Sequence, residues 1–218
     1  MAKDEEARRI DHWYCQAAYP EVLLTDNPAD TMALEGCGPC SLAHALIAQG
    51  VRVTPPQVVD AINRTFPDGS WTGHFQGTLN GHLGPTARQA FDCQFHALWP
   101  LPEGGREEGG ASPDADALLS QVTCALRQGR CVIVSSHGED VFRDEAGRPY
   151  TSLGHYVCFY AVDPDGTLVA ADSSDQTDER GRTLATGAAL YSPQAARDLL
   201  AVALSHPERH EVVDVWRA

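Results

Sequence analysis

The C-terminal half of this chain changes character in a way that few folds accommodate. RCVIVSS (130–136), HYVCFYAVD (155–163), TLVAADS (167–173) and EVVDVWR (211–217) are rich in β-branched and aromatic residues, which suit a pleated, half-buried surface. Asp163-Pro164-Asp165-Gly166 is a strong turn signal, so the second and third runs are expected to form an antiparallel hairpin. Ahead of them the patterning is helical. In PCSLAHALIAQ (39–49), Leu42, Ala45, Leu46 and Ala48 make an apolar face, Pro39 suits the first helical position and Gly50 the residue past the end. PPQVVDAINR (55–64) follows Thr54 as a cap. Further helices are expected near 86–92, over 115–128 and over 193–204, with a strand over 95–99. Helices first and antiparallel strands afterwards indicate the α+β class, not the βαβ alternation of a doubly wound sheet.

A chain of 218 residues predicts one domain, 1–218, with a core large enough to need no disulfides. Three stretches break the periodicity. Residues 66–86 read as a glycine-rich loop, 102–114 as the most flexible segment and 138–153 as a polar excursion; together 66–114 look like a variable insertion. The net charge of −14 repels phosphate backbones and anionic lipid, so neither nucleic acid nor a membrane surface is an expected partner. No apolar run approaches the length of a membrane span, and the charged N-terminus lacks a secretory signal. The expected location is therefore cytoplasmic. Seven irregularly spaced cysteines argue against a disulfide framework. Cys131 and Cys158 lie in apolar runs and read as core residues.

Cys37 is different. It lies in Glu35-Gly36-Cys37-Gly38-Pro39-Cys40, at the mouth of the predicted helix, where unpaired N–H groups and the helix dipole favour a thiolate. Flanking glycines let a substrate backbone approach closely. A nucleophilic cysteine needs a base and the base needs an orienting group. His155 opens a strand in Leu153-Gly154-His155-Tyr156-Val157, and Asp172 ends the next strand. Whether they share a face depends on the turn. A two-residue turn pairs Val157 with Asp172 and makes Asp172 a diagonal neighbour of His155; a three-residue turn with a bulge pairs Cys158 with Asp172 and puts it on the other face. Asp175 is the substitute in the second case.

Gly36-Cys37-Gly38-Pro39 opening a helix resembles the nucleophile motif of the bacteriocin-processing, papain-like cysteine peptidases and their stand-alone relatives. Gly154-His155-Tyr156-Val157, the Asp163–Gly166 turn and the strand ending at Asp172 resemble that family's histidine–aspartate segment, and Arg130-Cys131-Val132-Ile133-Val134 the strand before it. The resemblance covers roughly 30–60 and 115–175. It implies a papain-like fold with N-terminal helices packed on a C-terminal antiparallel sheet, Cys37 as nucleophile, His155 as base and Asp172 as orienter. The implied activity is that of a peptidase or amidase working through an acyl-enzyme, without metal or cofactor. One position departs from the pattern: Thr31 stands where the family usually carries a glutamine that donates to the oxyanion. The nearest upstream glutamine is Gln16, which would have to fold back to fill the place. Loss of such a donor costs a factor of about 10² to 10³ in rate.

Two other chemistries share these residues. An acyltransferase or amide-forming enzyme would use the same nucleophile on an amide or thioester substrate and deliver the acyl group to an amine or thiol. A thiol oxidoreductase would use Cys37 and Cys40, since Cys-Gly-Pro-Cys is also the redox tetrapeptide of thioredoxins. However, the preceding DNPADTMALEG forms no buried strand to feed such a motif. Cys37, Cys40 and His44 have helical metal-ligand spacing, but no second cluster completes a site; His44 reads as a surface or second-layer histidine. His74, His96, His206 and His210 read as surface or packing residues. Nothing in the sequence specifies an oligomeric state.

Overall fold

The computed structural model describes residues 10, 13–73, 77–99, 114–137, 154–174, 188–206 and 209–218. A 3-10 turn at Gln16–Ala18 is followed by α1 (Met32–Glu35), α2 (Cys37–Ala48) and α3 (Pro55–Thr65). Next come the two-residue strands β1 (Thr72–Gly73) and β2 (Gly77–Thr78), then α4 (Leu83–Phe91) and β3 (Gln94–Trp99). After α5 (Ala115–Arg127) the chain forms β4 (Cys131–His137), β5 (Gly154–Val162), β6 (Leu168–Asp172) and β7 (Ala188–Tyr191). It closes with α6 (Pro193–Ser205) and β8 (Val212–Trp216).

The caps follow the local sequence. Thr54 precedes α3, and its N–H donates to Gln57 Oε1 at 2.9 Å, one half of a capping box. Asp114 accepts from the Ala117 N–H at 2.7 Å to start α5, and Ser192 from the Ala195 N–H at 3.2 Å to start α6. Gly50 and Gly129, with φ of 79° and 81°, end the turns after α2 and α5 in the left-handed conformation that glycine adopts without strain.

Six strands form one antiparallel sheet in the order β3-β8-β4-β5-β6-β7. Successive residues of β4 and β5 point to opposite faces, and both faces are covered. Cys131, Ile133, Cys158, Val213 and Val215 belong to the core beneath α2, α3 and α4. Val132, Val134, Val157, Phe159 and Val212 belong to a second core with α5 and α6. Burial on both sides explains why these strands read as continuous apolar runs, without alternation. The α+β class holds. The N-terminal helices pack on one face of the sheet, and α5 and α6 add a layer on the other.

The β5–β6 hairpin contains both turn alternatives that the sequence offers. At its tip Asp163 N–H donates to Thr167 O at 2.8 Å and Gly166 has φ of 90°, so the loop has three residues with a left-handed glycine. Val162 accordingly pairs with Leu168 and Ala161 with Val169. Between Ala161 and Phe159 the register shifts, leaving Tyr160 as an extra residue, and from there Val157 pairs with Asp172. This bulge reverses the effect of the longer turn.

The glycine-rich stretch from 66 contains the short β1–β2 hairpin, and α4 begins three residues ahead of the expected helix. β3 from this region pairs with β8 at the sheet edge. The strand β7 has no counterpart among the expected elements. The expected flexible segment lies, but for Asp114, outside the described residues, as do the polar excursion 138–153, His74 and Asp175.

Candidate active site

Cys37 occupies the first position of α2, with Gly36 as N-cap. Its N–H is among those that an α-helix leaves without an intrahelical partner. Gly38 is required by packing: a Cβ there would run into the Thr78 side chain on β2. α2 packs along β5, bringing the mouth of the helix to the end of the strand where His155 sits.

His155 Nε2 donates to Asp172 Oδ1 at 2.8 Å. That leaves Nδ1 to face Cys37, whose side chain hydrogen-bonds with the imidazole. Asp172 Oδ1 also accepts from the Ser174 backbone N–H at 2.9 Å and the Ser174 hydroxyl at 2.7 Å, so the carboxylate is held in place by three charge-assisted bonds. Cys37, His155 and Asp172 are only 8%, 5% and 9% exposed. Burial alone would lower the His155 pKa. The Asp172 charge and hydrogen bond, with a smaller contribution from Cys37, more than offset it and raise the value from 6.5 to about 10. The imidazole is therefore protonated at neutral pH.

Gln16 packs against both Ser173 and the turn before Cys37. Its backbone N–H donates to Ser173 O at 2.9 Å and its Oε1 accepts from Ser173 Oγ at 3.1 Å. The side-chain amide donates to Ala33 O and Leu34 O, both at 3.2 Å. It thus ties the residue after Asp172 to the turn before Cys37, with its amide hydrogens directed at these two carbonyls.

The remaining candidates lie behind the site. Cys40 is fully buried; burial first, then the charge of Cys37, push its thiol pKa well above the usual value, against a lowering hydrogen bond from Ser173. His44 is buried as well, not at the surface. It accepts from the Tyr14 N–H at 3.0 Å through Nε2 and stacks on the Tyr14 ring, pinning the N-terminal segment to α2. His210 is buried against Ser135 Oγ at 3.0 Å. Among the described residues no group of three or more His, Cys, Asp or Glu is arranged to hold a metal, and no helix is long and apolar enough to cross a membrane.

Two features were not read from the sequence. One is Ser174, whose part is signalled only by a short polar residue two places after the aspartate. The other is a buried acid, Glu211, which accepts from Tyr156 Oη at 3.1 Å and from the Gly81 N–H at 2.9 Å. Burial raises its pKa from 4.5 to about 7, against the lowering effect of those two bonds. Tyr156 follows His155 in sequence, and its environment includes the charge of Cys37.

The model of the Peptidase_C39-like family matches residues 16–193, a span that starts at Gln16 and contains every residue of the constellation. A crystal structure of a protein assigned as a C39-like peptidase, from Bacillus anthracis, superposes with a TM-score of 0.49 at 14% identity, covering 95% of this chain and 99% of that one. No curated protein matches.

Proposed function

The chain belongs to the peptidase C39-like family, and on that premise we propose that it is a cysteine peptidase acting through an acyl-enzyme on Cys37. The observation that carries this reading is the position of His155, bonded through Nε2 to Asp172 and facing Cys37 with its other nitrogen. An imidazolium beside the sulfur serves as counter-ion to a thiolate and as general acid. In the first step the Cys37 sulfur attacks the substrate carbonyl, and the proton on His155 passes to the leaving amine. In the second, His155 takes a proton from water, which attacks the thioester and releases the acid. Asp172, fixed by Ser174, keeps the ring oriented throughout. The backbone N–H of Cys37 is one donor to the oxyanion. Gln16 is the second if its amide turns from the carbonyls of Ala33 and Leu34 when substrate enters.

The substrate class is a peptide or related amide. The first test is iodoacetamide titration of the reduced protein from acid to alkaline pH, with the modified cysteine mapped by mass spectrometry. Early reaction at Cys37 that is delayed in His155→Ala is the expected result. Reaction at Cys37 unaffected by His155, or none, refutes the pair. Transfer to an amine or thiol is the other fate of the same intermediate; product that forms only when an amine acceptor is present would replace hydrolysis with transfer.

A further inference from the structure

We propose that Cys37 and Cys40 form a redox modification site, at which a hydroperoxide converts the nucleophile into an intramolecular disulfide. The inference rests on Cys37 being the reactive thiol, and it gives Cys40 a role that acyl chemistry does not use. Both cysteines are free, with Cys37 at the first position of α2 and Cys40 one turn on. Cα atoms three apart on an α-helix are about 5 Å apart, inside the roughly 4.4–6.8 Å that a disulfide spans. The β-carbons must close by about 1–2 Å. The first turn can tighten that far because Pro39, between them, has no N–H bond to lose and Gly36 and Gly38 flank the moving residue.

The two environments divide the work. Cys37 keeps 8% of its surface, enough contact with solvent for a small peroxide, and lies beside the His155 imidazolium. Cys40 is sealed beneath it. The charge of Cys37 adds to burial in raising its thiol pKa, more than that of Cys15 does. In the first step the Cys37 thiolate attacks a peroxide oxygen, the O–O bond breaks, and the departing alkoxide or hydroxide takes a proton from His155. Sulfur is oxidised to the sulfenic acid and the peroxide reduced to alcohol or water. In the second, the Cys40 sulfur attacks Cys37; the S–OH bond breaks, and hydroxide leaves with the Cys40 proton as water. A dithiol reverses the change by exchange. Oxidation would therefore stop at a recoverable state. Without Cys40, Cys37 would continue to the irreversible sulfinic acid. Cys131 and Cys158 are also neighbours, but at 1% and 0% exposure they are closed to the oxidant.

The test treats the full chain with hydrogen peroxide, maps the cysteines by mass spectrometry, and scores iodoacetamide labelling of Cys37 after dithiothreitol. The wild type should show a Cys37–Cys40 link and recover about nine-tenths of its labelling, whereas Cys40→Ala and Cys40→Ser should carry sulfinic acid at Cys37 and recover less than about a tenth. Sulfinic acid forming in the wild type as fast as in the variants, or a link mapping to Cys15 and Cys40, overturns the proposal. Labelling of the untreated, reduced protein separates the two readings. If Cys37 labels but never links, only this inference fails; if it does not label at all, the peptidase reading fails with it.

Discussion

Replacing Asp172 with asparagine removes the charge that keeps His155 protonated inside the protein while nearly preserving the shape of the site. In the native protein the His155 pKa rises from 6.5 to about 10, corresponding to about 5 kcal/mol of preference for the cation. Because the folded value lies above the unfolded one, this stabilisation is complete below pH 6.5 and is lost as the pH rises toward 10. In Asp172→Asn the burial of His155 is uncompensated, and the ring is neutral at pH 7. Breaking a buried pair by removing one partner costs about 3–5 kcal/mol. The variant should therefore be less stable than the wild type by about that amount near pH 6.5, and the gap should close as the pH approaches 10. Urea unfolding of both proteins at half-unit steps between these limits measures the gap directly. Groups that do not touch this pair titrate alike in both proteins and cancel in the difference, and making both measurements in a Cys37→Ala background removes the thiol bonded to His155. A gap that stays constant from pH 6.5 to 10 would show that His155 does not carry its proton on account of Asp172.

Cys37→Ala should abolish turnover of any acyl substrate and leave stability within about 1 kcal/mol; residual turnover above background, measured with purified variant, counts against the acyl-enzyme. Glu211, raised to about 7 from 4.5, is stable as the neutral acid, and that contribution disappears as the pH climbs through 7. Glu211→Gln should therefore be indistinguishable from wild type near pH 4 and more stable at pH 8 by about 3 kcal/mol, as read by urea midpoints. Gly38→Ala drives a methyl group into the Thr78 side chain and should cost about 1–3 kcal/mol by overpacking; Thr78→Gly in the same chain should return part of the loss.

The legible part of the fold was the part set by neighbours in sequence. Gly36 and Pro39 bracket Cys37, so a helix start at the cysteine follows from local chemistry, as do the caps at Thr54 and the left-handed glycine at 166. The positions settled by distant contacts were not legible. Tyr160 is the bulged residue of β5, and its ring meets Trp13 edge-on, a partner far away in the sequence. Gln16 reaches the turn before Cys37 because Ser173 anchors it, which no spacing rule anticipates. Glu211 opens the run EVVDVWR, and only the folded sheet encloses it with Tyr156 and Gly81. The strand Ala188–Tyr191 is four residues of AALY, too short and too weakly β-branched to stand out.

The bulge at Tyr160 makes the distance between His155 and Asp172 a matter of register. Paired residues share a face, so Val157 opposite Asp172 keeps the carboxylate on the imidazole's side of the sheet. Tyr160 is the residue that takes up the third residue of the tip, and without it Phe159–Ala170 would simply follow Ala161–Val169 in regular register. Deletion of Tyr160 should therefore leave the Val157–Asp172 pair, and the site it sets, in place.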